Sequence, residues 1–211
     1  MEFDFGLPAL GGQFHMDWIH DGANPRDVVR HWARLSSGSE EGLEELRLLR
    51  QDVRLLLTSP LSDEDIHALW RSAARYYPNF LVEGQEPARG RAWLTDIDGE
   101  LEPFLHESAS GSPTPQAADE PVQSAIDELA DRLAPRSELS LEPLPSHVVI
   151  AAVKRCAKEV SPALAFRFLL HAYSAYDSPV PAASRAAFEE LNREFGYGEF
   201  MLVGIQGLPE K

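Results

Sequence analysis

At 211 residues the chain is long enough for one large domain or two small ones, and its 44% hydrophobic and 25% charged residues exclude global disorder or a fibre. No run approaches the roughly 18 apolar residues of a membrane-spanning helix, so none is expected to cross a bilayer. Against 34 acidic residues stand 19 basic ones, and the resulting net charge of −15 argues against nucleic acid phosphates or anionic lipid as direct partners.

The acidity is carried by both halves. Residues 1–118 hold 20 acids and 10 arginines, net −10, and residues 119–211 hold 14 acids and 9 bases, net −5. A basic protein is the natural complement, because opposite fields speed encounter and favour one register. The blander reading is that the charge simply keeps the protein in solution. One cysteine forms no internal disulfide, and the opening MEFDFGLPALGG carries two acids and no Lys or Arg, unlike a secretory signal. Both features fit a cytoplasmic protein.

In chain order, Asn24-Pro25-Arg26-Asp27 reads as an N-cap, a proline at the first helical position and an acid at the third. Val28, Val29, Trp32 and Leu35 continue at helical spacing until Ser36-Ser37-Gly38-Ser39. A second helix starts near Ser39, with Glu40, Glu41, Glu44 and Glu45 at its positive end and Leu46, Leu49, Val53 and Leu56 as its stripe. Ser62 and Asp65 form a capping box flanked by a Leu61–Ile66 staple. Leu69, Trp70, Ala73 and Tyr77 carry that third helix to Pro78. Next, Arg91-Ala92-Trp93-Leu94-Thr95-Asp96-Ile97 is β-prone and Asp98-Gly99 is a good turn, which predicts a small hairpin over 91–101.

Residues 107–121 are poor in apolar groups and read as a linker. Beyond it, Val122, Ile126, Leu129 and Leu133 predict a helix, and Ser146 caps another with Val149, Ala152, Val153, Cys156 and Val160 as its seam. Ser161-Pro162 opens a helix apolar almost all round, through Leu164, Phe166, Phe168, Leu169, Leu170 and Tyr173, so it should run through the centre of its domain. Ala183, Ala187, Phe188, Leu191 and Phe195 mark one more, ended by Gly196. The segment 198–205 reads as a final short strand. The expected class is mainly α, in a helical domain over 1–106, the linker, and a helical domain or extension over 122–211.

Chemistry is sparse. The phosphate-binding loop, the dinucleotide glycine fingerprint, the nucleophile elbow and the zinc-protease helix are all absent. A single cysteine excludes multi-cysteine metal sites, and the apolar neighbours of Cys156 favour an inert thiol. Phe166, Phe168, Tyr173 and Tyr176 are better read as core than as a ligand pocket. One cluster stands out: Phe14-His15-Met16-Asp17-Trp18-Ile19-His20-Asp21. Its imidazoles and carboxylates match the ligand types of a metal-dependent hydrolase using His15, Asp17, His20 and Asp21, though the spacing is unspecific. The simpler reading has His15 and Asp17 bonded to backbone and Phe14 and Trp18 packed in the core, with no metal or other cofactor.

The run Leu10-Gly11-Gly12-Gln13-Phe14-His15-Met16-Asp17-Trp18 resembles the G-x-[YF]-F-H-Q-D-W opening of a family of bacterial contact-dependent growth inhibition immunity proteins. The later Leu61-Ser62-Asp63-Glu64-Asp65-Ile66 is similar to its L-[ST]-[DE]-E-x-[IL] segment. The resemblance covers about residues 5–78 and departs at Met16, where the family usually has Gln. It implies a non-catalytic protein that binds a cognate toxin domain, often a nuclease, and blocks its active site. A nuclease must be basic to hold nucleic acid, which agrees with the charge argument. On this reading Phe14, His15, Asp17 and Trp18 are structural. The expected contacts are Glu41, Glu44 and Glu45 with Asp96, Asp98, Glu100 and Glu102. The competing expectations are the hydrolase and a scaffold adaptor whose halves bind separate partners.

Overall fold

A computed structural model describes residues 4–74, 88–105, 119–135 and 144–206, and among these every regular element is a helix. The chain divides into two compact units, residues 5–114 and a second formed by the N-terminal residues to Asp4 with 115–211. Most of the predicted linker, together with Tyr77 and Pro78, lies outside the described residues; within it Glu120 and Pro121 already begin a helix.

The first unit contains α1 (Gly6–Gly12), α2 (Pro25–Ser36), α3 (Glu40–Leu57), α4 (Asp63–Ala73) and α5 (Gly90–Leu101). Three of these begin where their capping residues place them. Asn24 Oδ1 accepts from Asp27 N–H at 3.2 Å, and Ser39 Oγ from Gly42 N–H at 3.0 Å. Ser62 and Asp65 exchange side-chain-to-backbone bonds at 3.1 and 3.2 Å, with Leu61 and Ile66 buried around them. Each cap is worth about 1 kcal/mol by satisfying N–H groups that the helix cannot.

Two sequence expectations here are corrected. The 91–101 segment is the helix α5, not a hairpin. Its buried positions are Trp93, Leu94, Ile97 and Leu101, the i, i+1, i+4, i+8 stripe of a helix, and this stripe packs against α2, α3 and α4. The β-prone alternation of Trp93, Thr95 and Ile97 is thus overridden by tertiary burial, as Thr95 is exposed. Arg91 fastens the start of α5 by donating to the carbonyls of Ser59 and Leu61 at 2.8 and 2.6 Å and to Asp63 at 2.7 Å. On α2, Leu35 is 67% exposed and Ala33 takes the buried position instead.

The helix α1 was not anticipated. Leu7, Leu10 and Gly11 are buried against α3 and α4, and the Leu7 N–H at its start donates to the buried Asp52 carboxylate of α3 at 2.9 Å. That bond supplies the first turn with the acceptor its own sequence lacks, since Phe5 at the cap has none to offer.

The second unit contains α6 (Glu120–Asp131), α7 (Ser146–Glu159), α8 (Pro162–Ala175), α9 (Ala182–Glu194) and the single turn α10 (Val203–Gln206). Helix α8, capped by Ser161, is packed by α6, α7 and α10. Its Phe166 lies 5.4 Å from Phe195 and 6.1 Å from Phe188, and Tyr173 meets Phe188 edge-on at 5.0 Å. The Tyr173 hydroxyl donates to the Leu129 carbonyl at 2.7 Å, and burial pushes its pKa up to about 12. His171 of α8 holds Asp4 at 2.7 Å.

Three local expectations change here. Ser146 is the first residue of α7 and Pro145 its cap position. Ser184 rather than Ala183 faces inward on α9, while Gly196 ends that helix at φ +66° as expected. Finally, the segment 198–205 is not a strand. It forms a 3₁₀ turn running into α10, because Met201, Leu202 and Ile205 reach the core at i, i+1, i+4.

Candidate functional site

The resemblance motif leaves α1 and folds into the turn 13–21. Phe14 and Trp18 are both fully buried, and they meet Trp70 of α4 and Trp93 of α5 at the centre of the first unit. Phe14 lies 5.6 Å from Trp18, 5.4 Å from Trp70 and 6.0 Å from Trp93, and the two latter indoles are 5.5 Å apart. Such tilted and edge-on contacts add about 0.5–1.5 kcal/mol per pair beyond burial. The conspicuous aromatics of the motif are therefore core.

Between them the backbone winds with a three-residue period. Trp18 N–H donates to the His15 carbonyl at 3.1 Å, His20 N–H to Asp17 at 3.0 Å and Asp21 N–H to Trp18 at 2.9 Å. His15 closes the turn from both ring nitrogens. Nδ1 accepts the Asp17 N–H at 3.2 Å, and Nε2 faces the Asp21 carboxylate at 3.2 Å. With Nδ1 accepting, the Nε2 side of the ring is the one turned towards Asp21. Among the described residues no group of three or more His, Cys, Asp or Glu side chains is placed to hold an ion. His15 thus bonds to backbone as the structural reading expects, whereas Asp17 contributes its backbone and keeps its carboxylate outward, exposed with Met16, Ile19 and His20.

The acidic residues expected to contact a partner separate into two kinds. On α5, Asp96 and Glu100 point to α2, where Arg26 reaches them at 2.9 and 3.4 Å and Arg30 reaches Glu100 at 2.8 Å. Asp98 points to α3 and meets Arg50 at 2.8 Å and Arg54 at 3.4 Å. Three of the seven carboxylates are therefore tied between helices of their own unit, and Glu100, 13% exposed, is the most enclosed. Glu102 follows α5 and is exposed. The other kind is the start of α3: Glu41 and Glu44 are exposed and Glu45 half-buried, with Arg47 as the cation reaching Glu44 at 3.0 Å and Glu40 at 3.6 Å.

Sequence reasoning missed the arginines that neutralise α5, which stand at helical spacing on α2 and α3 and were signalled only once α5 is known to be a helix. It also missed His67 on α4. Burial, with Arg89 and Arg71 adding their charge, pulls the His67 pKa down to about 4, and its Nδ1 has no hydrogen-bond partner among the described residues. Cys156 is fully buried in α7 beside Val149, Ala152 and Val153. No family model, no curated protein and no solved structure matches the chain. Among the described residues, no helix is long and apolar enough to cross a membrane.

Proposed function

We propose that this protein is a non-catalytic immunity protein that binds a basic bacterial toxin domain, a nuclease in the first instance, and occludes its active site in a one-to-one complex. The observation that carries the reading is the acidic start of α3. There Glu40, Glu41 and Glu44 stand exposed, with Arg47 the one arginine among the described residues that reaches Glu40 and Glu44, while the acids of α5 are paired within their own unit. Surplus negative charge at one helix end, on a chain of net charge −15, suits a groove built to hold phosphate. The motif resemblance over residues 5–78 supports the same reading, as does the structural employment of His15.

The test is co-expression with the C-terminal domain encoded immediately upstream. Growth rescue with a stable one-to-one complex is expected. Toxicity without rescue, or an upstream domain that is harmless, removes the reading. Replacing Glu41, Glu44 and Glu45 by Lys should slow association about tenfold at low salt and progressively less as salt rises.

The division into two units, each with its own aromatic core, favours one second reading: an adaptor whose units bind separate partners. Proteolysis within 106–118 that yields two cooperatively folding pieces, each holding a different protein, would support it.

A further inference from the structure

The turn that follows Phe14 has an outer face as well as a buried one. Met16 is 57% and Ile19 43% exposed, two of the five large apolar side chains that stand in solvent among the described residues. Single exposed apolar groups are ordinary. These two stand three residues apart, one just before and one inside the 3₁₀ turn Trp18–His20, and both are exposed together with Asp17 and His20. Among the described residues no Lys, Arg or His is placed to pair with the Asp17 carboxylate.

The backbone under this face is fixed before any partner arrives. Phe14 and Trp18 are pegged into the aromatic core, three backbone hydrogen bonds set the winding, and the His15–Asp21 contact closes it. Binding through a preordered turn avoids the ordering cost that a flexible loop would incur. Methionine is among the residue types enriched at protein interfaces, where a few apolar side chains pack at the centre of a polar rim.

Charge decides what covers the face. Residues 5–25 contain Asp17 and Asp21 and no Lys or Arg, and the first cation that follows, Arg26, is engaged by Asp96 and Glu100. A second copy of this chain would bring the same field and be repelled, and anionic lipid would be repelled likewise. We infer that the turn 15–20 is the docking loop of this protein, with Met16 and Ile19 as apolar anchors and Asp17 as the paired charge against a basic protein surface. The assignment rests on the reading above only in that the partner is a basic protein.

The experiment places photoreactive p-benzoylphenylalanine at Ile19 in the full chain, in its own host cells, with the same group at exposed Ala92 of α5 as control. Crosslinking to one basic protein from position 19 and not from 92 is expected. With that protein purified, Met16→Ser combined with Ile19→Ser should weaken binding at least tenfold at unchanged melting temperature and circular dichroism. If the crosslinked protein is the upstream toxin domain, both readings stand. If it is another basic protein with the same sensitivity, the docking loop stands and the toxin reading falls. No crosslink above the control, a crosslink to a second copy, or a double variant of unchanged affinity overturns the docking loop, and growth rescue by the wild-type chain would then leave the toxin reading intact.

Discussion

Replacing Gly99 with alanine should stabilise the first unit, and the same change at Gly42 should destabilise it. Both glycines lie inside helices, where alanine is favoured by about 1 kcal/mol because glycine loses more backbone freedom on folding. At Gly99 a new Cβ meets nothing within 4 Å, so that gain of about 1 kcal/mol is expected almost whole. At Gly42 the Cβ would stand 2.0 Å from the Ser36 carbonyl oxygen and 2.7 Å from its carbon. Backbone cannot swing aside as a side chain can, so the α2–α3 corner must open. Overpacking of this kind costs roughly 1–3 kcal/mol, enough to cancel the propensity gain and reverse the sign. Denaturant unfolding followed by tryptophan emission is the assay. All four tryptophans, at 18, 32, 70 and 93, lie in the first unit, so the signal reports that unit alone. The decisive comparison is the midpoint at unchanged slope. If Asp98-Gly99 were a hairpin turn, Gly99 would need a positive φ and alanine would destabilise by more than about 1 kcal/mol. A lowered midpoint for Gly99→Ala would therefore refute both the helix and the reasoning.

His67 gives a pH dependence of defined sign. Its folded pKa of about 4 lies below the unfolded value of 6.5, so the unfolded chain binds the extra proton and stability falls as pH drops from about 6.5 towards 4. Melting curves of His67→Gln should lose that part of the acid sensitivity, and curves parallel to wild type across the window would contradict the assignment. Glu100→Gln should cost about 1 kcal/mol by releasing Arg26 and Arg30, while Glu41→Gln on the open start of α3 should cost only about 0.3 kcal/mol, the loss of one acid at the positive helix end. Tyr173→Phe should destabilise the second unit by about 1 kcal/mol, measured calorimetrically, because the buried hydroxyl bond to the Leu129 carbonyl is lost and that carbonyl keeps only the Arg132 N–H.

Capping signals were the best guide to the fold, because they are local. Asn24, Ser39, Ser62 and Ser161 each bond the N–H three residues on, a geometry set within a single turn of chain. The segments misread were those whose conformation is decided by distant partners. The alternation in 93–97 is compatible with a strand, and only the surfaces of α2, α3 and α4 make the helical stripe the one that buries apolar area. The start of α1 depends on Asp52, forty-five residues away. The same division holds at the candidate site. The aromatics of the motif were readable as core by type, since large aromatics dominate interiors. The exposure of Met16 and Ile19 follows from a 3₁₀ winding that a helix or strand template does not describe. The acids of α5 looked free because their arginines lie 48 and 70 residues away along the chain.

The aromatic centre of the first unit draws on widely separated points of the chain, with Phe14 among the earliest and Trp93 the last. A ribosome adding roughly 5–20 residues per second needs about 4–16 s to pass from one to the other. Until α3 and α4 have followed, α1 offers Leu7 and Leu10 without the surfaces that later cover them, and Phe14 at the head of the turn lacks its last aromatic neighbour, Trp93, to the end of that interval. Newly made chains therefore complete this aromatic centre only after α5 has left the ribosome.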